Sequence, residues 1–229
     1  MSELIKRPGG ELANRPLHFF WIVDCSGSMS GEKIQQLNYA IRQTIPDMQK
    51  AADSNPNAQV FIRTLQFSTG ASWINSSPII VSDFEWNDLT AEGVTDMGKA
   101  FELLGEQLKI PPMLERALPP VLVLLSDGQP TDNYQEPLAN LQKLPWGKKS
   151  VKIAISIGED ADDELLTEFT GNRELVLQAN NPQALVKMIH WASTLVTQVS
   201  SPTSRRDGDK PIVVDTSVIP VNTDDAEVW

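Results

Sequence analysis

Three short segments of the sequence combine oxygen-bearing side chains with glycine. The first, Asp24-Cys25-Ser26-Gly27-Ser28, and the second, Ser126-Asp127-Gly128, each contain a strand-end carboxylate after a strongly apolar run. The third, Gly93-Val94-Thr95, precedes a helical pattern. Glycine lets the backbone turn tightly around a small ion. Two carboxylates and three of the hydroxyls in these segments form one candidate ligand set: Asp24, Ser26, Ser28, Thr95 and Asp127.

An all-oxygen ligand set favours a hard divalent cation. Mg²⁺ and Ca²⁺ take carboxylate and neutral oxygen ligands, whereas Zn²⁺ prefers His and Cys. Ser26 and Ser28 alternate with Cys25 and Gly27, so both hydroxyls can point to the same side of an extended turn. The sequence therefore predicts a Mg²⁺ site, with Mn²⁺ or Ca²⁺ as alternatives.

The segments around these side chains alternate between strands and helices. Residues 17–23, 121–125 and 151–157 are apolar almost without alternation, which is typical of parallel strands buried on both faces. Residues 59–67 and 71–74 are expected to form an antiparallel hairpin. Pro46 is expected to kink the first helix or to end its regular part early. Apolar spacings of three and four predict helices over residues 32–48, 95–108, 134–144, 162–169 and 182–199.

This alternation predicts the α/β class. We expect a doubly wound, mostly parallel central sheet with one antiparallel edge strand and helices on both faces. In such sheets, ligands bind at the carboxyl ends of the strands where the winding direction reverses. The loops that follow residues 23 and 125 should therefore meet there.

The chain divides into three parts on its composition. Residues 1–16 form an N-terminal extension, residues 17–199 form the domain, and residues 200–229 form a linker and a C-terminal tail. The linker is rich in Ser, Pro, Arg and Asp, but residues 211–221 are rich in Val and Ile. The tail is therefore either a docking strand or a plain floppy terminus.

The three motifs, taken in order, resemble the metal-ion-dependent adhesion site (MIDAS) of von Willebrand factor type A (VWA) domains. They read Asp24-x-Ser26-x-Ser28, then Gly93-x-Thr95-x-x-Gly98-x-Ala100, then Leu124-Leu125-Ser126-Asp127-Gly128-x-Pro130-Thr131-Asp132. The resemblance covers residues 17–199 and implies a Rossmann-like VWA fold. It implies that Ser26 and Ser28 coordinate the metal directly, and Thr95 directly or through water.

The same resemblance implies how a partner would bind. Asp24 and Asp127 would hold coordinated waters, or would ligate directly in some states. Because neutral hydroxyls leave the ion electrophilic, a carboxylate from an Asp or Glu of a partner protein can fill the last coordination position. The expected function is a metal-dependent protein–protein interaction module, an adaptor or scaffold.

Two strings narrow the resemblance further. Thr95-Asp96-Met97-Gly98 and Asp127-Gly128-Gln129-Pro130-Thr131-Asp132 are similar to the bacterial TerY-like group of tellurite-resistance proteins. This similarity implies a stress-response signalling system in which the partners include a protein kinase and a PP2C-type phosphatase.

Charge and cysteine content limit the location and the partners. The 19 Lys and Arg residues against 30 Asp and Glu residues give a net charge of −11, which repels nucleic acid. The single cysteine, Cys25, cannot form an internal disulfide and suits a reducing compartment. The first 15 residues do not resemble a signal peptide, and no apolar run approaches the roughly 20 residues of a membrane span. We expect a cytoplasmic protein that binds no membrane.

The same residues do not fit two classes of enzyme. A haloacid-dehalogenase-type phosphatase needs a second aspartate where Ser26 stands, and the glycine-rich stretch after Ser26 lacks P-loop spacing. We therefore expect no enzyme. The alternatives are a scaffold that binds partners through its tail around a structural metal, and a Mg²⁺-dependent phosphohydrolase. Asp96 and Asp132 are expected to cap helices or to bond within loops, and Cys25 to pack in the core.

Overall fold

The computed structural model describes residues 15–54, 58–158, 162–200, 214 and 216–219, without the side chains of residues 196–200 and 218. Strands and helices alternate along these residues. The strands are β1 (Arg15–Asp24), β2 (Ala58–Ser68), β3 (Gly70–Trp73), β4 (Ile79–Ile80), β5 (Val121–Ser126), β6 (Val151–Ile157) and β7 (Val176–Ala179). The helices are α1 (Glu32–Asp53), α2 (Met97–Gln107), α3 (Gln135–Lys143), α4 (Pro145–Lys149), α5 (Asp163–Thr170) and α6 (Pro182–Ser200).

The strands form one sheet in the order β3-β2-β1-β5-β6-β7. Strands β2, β1, β5, β6 and β7 are parallel to their neighbours, whereas β3 runs antiparallel to β2 at the edge. The two-residue β4 also pairs antiparallel with β2. The predicted α/β class, the doubly wound sheet and the edge hairpin are confirmed.

Two hydrophobic layers cover the sheet, and β1 contributes to both. Phe19, Trp21 and Val23 pack in the layer that contains α1 and α6. Phe20 and Ile22 face the opposite layer, which is built from α2, α3, α4 and α5. All five side chains have no exposed surface. Full burial of each stabilises the fold by about 1.5–3 kcal/mol, which explains why β1 reads as an unbroken apolar run.

Helix α1 differs from the prediction at Pro46. The sequence predicts a kink or an early end, and because the helix continues through this proline to Asp53, the early end is wrong. The apolar side chains on either side of the proline, Ile45 and Met48, are buried in the core. We attribute the continuation to their burial, which offsets the backbone hydrogen bond that proline cannot donate.

The described residues of the tail lie against the domain. Val214 is 8% exposed and belongs to the same hydrophobic layer as α1 and α6, and the partly buried Ile219 packs on that layer. Between them, Thr216–Val218 forms a single 3₁₀ turn. The predicted N-terminal extension up to residue 14, the linker and the remainder of the proposed docking strand lie outside the described residues. No helix within the described parts of the chain has the length and apolarity needed to cross a membrane.

His18 is a half-buried imidazole in β1. Its ring stacks on Phe20 and Phe61, with centroid distances of 6.1 and 5.6 Å. Among the described residues, its Nδ1 atom has no hydrogen-bond partner. Burial, assisted by the positive charge of Arg63, lowers the pKa of His18 to about 4. The folded domain therefore holds this imidazole neutral over a range in which the unfolded chain protonates it.

We predict that His18 makes the domain sensitive to acid. The unfolded chain gains a proton near pH 6.5 and the folded chain only near pH 4, so stability is full above that window and falls as the pH drops through it. The loss reaches about 3 kcal/mol. The free energy of unfolding, measured in urea between pH 4 and pH 7, should change less with pH for His18→Phe than for the wild type. The control is His190→Gln, which removes an exposed imidazole. An identical pH dependence of the free energy of unfolding in the wild type and His18→Phe would refute the assignment.

Candidate metal centre

The candidate site lies at the carboxyl ends of two neighbouring strands. Strands β1 and β5 are parallel and adjacent, with Val23 opposite Leu125, so Asp24 and Asp127 leave the sheet at the same edge. The chain winds from β1 toward β2 on one side and from β5 toward β6 and β7 on the other. The winding direction therefore reverses between β1 and β5, which is where ligands bind in folds of this class.

Asp24 is fully buried and held by two serines. Its Oδ1 atom accepts a hydrogen bond from the Ser26 backbone N–H at 2.8 Å, and its Oδ2 atom accepts one from the Ser126 hydroxyl at 2.5 Å. Burial raises the pKa of Asp24, while these hydrogen bonds act in the opposite direction. Ser126 is not among the five residues predicted from the sequence. Its position directly before Asp127 and opposite the end of β1 is the signal that could have identified it.

Ser26, Ser28 and Asp127 form a directed chain of hydrogen bonds. The Ser28 hydroxyl donates to Asp127 Oδ1 at 2.7 Å, and the Ser26 and Ser28 oxygens are 3.0 Å apart. Because a hydroxyl has one proton, Ser28 must accept from Ser26 when it donates to Asp127. The two hydroxyls therefore lie on the same side of the turn, as their spacing predicts, and both are directed toward the carboxylate of the second loop.

Thr95 reaches the same place from the start of α2. An ideal Cβ placed on Gly128 would lie 3.5 Å from the Ser28 hydroxyl oxygen and 3.7 Å from the Thr95 hydroxyl oxygen. Two hydrogen bonds with Thr131 fix the backbone of Thr95. The Thr95 N–H donates to the Thr131 hydroxyl at 3.1 Å, and the Thr131 N–H donates to the Thr95 carbonyl at 2.9 Å. The structure thus brings all five predicted side chains together.

The loop before Thr95 is tied by hydrogen bonds to the turn that follows β1. The Glu92 N–H donates to the Cys25 carbonyl, and the Gly27 N–H donates to the Gly93 carbonyl. Gly93 has a φ of +80°, and a Cβ there would lie 2.4 Å from the Thr69 hydroxyl oxygen, so only glycine fits. These bonds fix the distance between Thr95 and the turn that carries Ser26 and Ser28.

Asn38 of α1 anchors the middle of this loop. Its side-chain oxygen accepts hydrogen bonds from the Leu89 N–H and the Trp86 indole, and its amide donates to the Leu89 carbonyl. Trp86 packs against the core, and Trp146 is buried in the opposite layer. Both tryptophans therefore have structural contacts.

Asp96 and Asp132 organise loops, as the sequence analysis expects. Asp132 accepts hydrogen bonds from the Gly98 and Lys99 N–H groups at 2.9 and 3.0 Å, so a residue from the β5–α3 loop caps α2. Asp96 accepts from the Gly70 N–H at 2.7 Å and from the Thr131 hydroxyl. A Cβ on Gly98 would lie 2.4 Å from the Asn133 carbonyl oxygen, so this contact requires glycine.

Cys25 is a core residue. Its side chain is buried in the layer with α1 and α6, and burial raises its pKa to about 12. The thiol therefore stays protonated and packed, in agreement with the expectation that it packs in the core.

The donor set suits a divalent cation that binds oxygen. Across the described ranges, no three His, Cys, Asp or Glu side chains cluster closely enough to hold a metal ion by themselves. The converging groups are three hydroxyls and two carboxylates, which is the chemistry of Mg²⁺ rather than of a His- and Cys-bound metal. A cationic group already contacts the second carboxylate, because Lys33 Nζ lies 2.5 Å from Asp127 Oδ2.

Lys33 is a second residue at the site that the sequence motifs do not predict. It lies in the first turn of α1, where the helix dipole disfavours a positive charge. A lysine at such a position is a signal for a nearby carboxylate, although the sequence does not indicate which one.

Solved structures of similar fold come from several sources. A von Willebrand factor type A protein from Catenulispora acidiphila matches with a TM-score of 0.59 at 16% identity, covering 80% of this chain and 43% of that one. Proximal thread matrix protein 1 from the mussel byssus, solved with a zinc-occupied MIDAS motif, matches with a TM-score of 0.59 at 16% identity and coverages of 82% and 48%. The ArnB paralog VWA2 from Sulfolobus acidocaldarius matches with a TM-score of 0.54 at 21% identity and coverages of 81% and 44%.

At these identities the likeness concerns the fold, and the chain spans less than half of each of these three proteins. No curated protein sequence matches the chain. The family model of the von Willebrand factor type A domain matches residues 20–191, which is most of the 229-residue sequence. The chain therefore belongs to the von Willebrand factor type A domain family.

Proposed function

We propose that this chain is a metal-dependent protein–protein interaction module whose metal is held by Asp24, Ser26, Ser28, Thr95 and Asp127. The observation that carries the proposal is the convergence of three hydroxyls on two buried carboxylates at the switch point of the sheet. VWA domains commonly mediate metal-dependent interactions through such a site, and the structural neighbour from mussel byssus has a MIDAS motif occupied by zinc.

Each residue of the site has a distinct task in this proposal. Ser26, Ser28 and Thr95 would hold the ion through neutral oxygens, so they add no negative charge to it. Asp24 and Asp127 would supply charge from positions that the serine hydrogen bonds fix. The bound ion would supply an electrophilic position for a carboxylate oxygen of a partner's Asp or Glu.

The metal itself is proposed to be Mg²⁺, with Mn²⁺ or Ca²⁺ as alternatives. The oxygen donors support a hard cation. Because a related fold binds zinc at its MIDAS motif, Zn²⁺ belongs in any comparison of metals.

The biological setting is proposed from the two strings that resemble the TerY-like group. In this setting the chain would act in the cytoplasm, in a stress-response or tellurite-resistance system, and would bind a protein kinase and a PP2C-type phosphatase. The lone buried Cys25, which has no second cysteine to pair with, supports a reducing compartment.

We further propose that the site is not catalytic. A nucleophilic aspartate must reach its substrate, but Asp24 has no exposed surface and both of its oxygens accept hydrogen bonds from the protein. Release of phosphate from model esters in the presence of Mg²⁺ would contradict this part of the proposal.

Metal binding should stabilise the folded domain. At a metal concentration of 100 times Kd, the expected gain is about 2.7 kcal/mol, or an increase in Tm of about 5–10 °C. Thermal unfolding with Mg²⁺, Mn²⁺, Ca²⁺ or Zn²⁺ against EDTA measures the gain and ranks the metals. Ser26→Ala and Thr95→Ala should lose most of it. The control Ser30→Ala, which removes an exposed hydroxyl from the same loop, should retain the gain in stability. Equal gains in all variants would refute the ligand set.

Asp24→Asn should separate metal binding from folding. Because burial raises the pKa of Asp24, its stabilising contribution is full below the unfolded pKa of 3.8 and is lost as the pH rises through the folded value. Each pKa unit corresponds to about 1.4 kcal/mol. In EDTA, the variant should gain stability over the wild type as the pH rises from 4 to 8, and it should not respond to Mg²⁺. A variant that is much less stable than the wild type in EDTA at pH 7 would contradict the inference that burial of the Asp24 charge destabilises the fold.

Partner capture should depend on the metal site and not on the tail. A pull-down from the native host should lose its partners with EDTA, with Asp24→Asn and with Ser26→Ala, while Ser30→Ala should retain them. Among the partners we expect the kinase and the phosphatase.

A chain that ends at Ser200 tests the tail alternative. We expect the shortened chain to keep its partners. Val214 and Ile219 of the tail already pack on the domain, so they are occupied by that contact rather than by a partner. Loss of capture by the shortened chain, with Mg²⁺ stabilisation intact, would favour the scaffold that binds through its tail.

A further inference from the structure

Lys33 is joined to the candidate metal site by an ion pair. Its Nζ donates a hydrogen bond to Asp127 Oδ2 at 2.5 Å, and this lysine side chain is 21% exposed, whereas that of Asp127 is completely buried. The pair links the start of α1 to the end of β5, 94 residues apart. A lysine in the first turn of a helix opposes the helix dipole, so its favourable contact is the one with Asp127.

The two oxygens of Asp127 face different partners. Oδ1 accepts the proton of the Ser28 hydroxyl, on the side where the hydroxyls converge, and Oδ2 accepts from Lys33. The lysine therefore does not occupy the carboxylate oxygen that faces the other candidate ligands. It can hold Oδ2 while Oδ1 serves the metal site.

The end of β6 leaves room for this side chain. Gly158 follows β6 with a φ of +85°, and a Cβ on it would lie 3.4 Å from Lys33 Nζ and 3.6 Å from Cε. A Cβ at this position would therefore be in ordinary van der Waals contact with the end of the lysine side chain. The backbone at Gly158 thus lies beside the path by which Lys33 reaches Asp127.

We propose that Lys33 is a fixed internal cation of the metal centre, which weakens binding of the divalent ion and strengthens capture of a partner's carboxylate. The inference rests on the proposed metal-dependent function. Two ionised carboxylates, Asp24 and Asp127, neutralise a divalent ion, and Lys33 leaves the loaded centre with one net positive charge. That charge matches a single carboxylate from a partner, although the whole chain carries a net charge of −11.

The two effects have opposite signs, which distinguishes a charge effect from a loss of structure. Removing the lysine charge should favour the divalent ion, since repulsion between like charges is lost, and should disfavour the incoming anion. A unit charge that contacts a ligand of a partly buried site changes either affinity by about tenfold or more. Local damage to the site would instead weaken both.

The test measures two dissociation constants for each variant of the full chain. Titration calorimetry gives the Kd for Mg²⁺, and a second titration at saturating Mg²⁺ gives the Kd for the acetylated, amidated peptide Gly-Glu-Gly. Lys33→Met removes the charge with little change in length, Lys33→Gln is a second neutral variant, and Lys33→Arg keeps the charge. Lys50→Met is the control, because it removes a 77% exposed lysine from the other end of the same helix.

For Lys33→Met and Lys33→Gln, we expect a Kd for Mg²⁺ about tenfold lower and a Kd for the peptide about tenfold higher than in the wild type. Lys33→Arg and Lys50→Met should stay near the wild-type values. Unchanged constants in the neutral variants, or constants that move in the same direction, would overturn the role of Lys33 and leave the proposed function intact. A wild-type chain that binds neither Mg²⁺ nor the peptide would overturn the proposed function itself.

Discussion

The site depends on one constraint, which is the burial of two carboxylates away from water. Both lie at the carboxyl ends of neighbouring strands in the middle of the sheet. Asp24 has no exposed surface and Asp127 is 2% exposed. Each is a negative charge that disfavours the other, and the charge of Asp127 contributes to the raised pKa of Asp24. The surrounding groups compensate for this with hydrogen bonds to Asp24 and with an ammonium group on Asp127.

The fold supplies that compensation from several elements that reach this edge. The turn after β1 provides the hydroxyls, the first turn of α1 provides the ammonium group, and the last residue of β5 provides the hydroxyl that bonds Asp24. The loop before α2 is held to β1 and α1, so Thr95 arrives at a fixed position. The geometry of the candidate site therefore arises from several elements at this edge of the sheet and not from one motif.

The sequence alone predicts the parts of this arrangement that depend on local pattern. Unbroken apolar runs identify β1, β5 and β6, and carboxylates directly after such runs identify Asp24 and Asp127. Once the strands are parallel and adjacent, their carboxyl ends must meet, so the five candidate side chains can be predicted together. The hairpin of β2 and β3 follows from its short Thr69-Gly70 turn in the same way.

Features that depend on tertiary contacts could not be predicted. Helix α1 continues past Pro46 because its neighbours are buried, which local propensity does not reveal. Lys33 has its partner directly after a strand that lies far along the chain, and Asp132 caps a helix that precedes it in sequence. The tight fit of Gly98 against Asn133 has a related evolutionary consequence. Serine and threonine both offer a hydroxyl oxygen, so either residue could stand at a hydroxyl position of the candidate site. Residue 98 carries no functional group, yet only glycine fits there. Natural variants should therefore retain this glycine more strictly than they retain serine rather than threonine at a hydroxyl position.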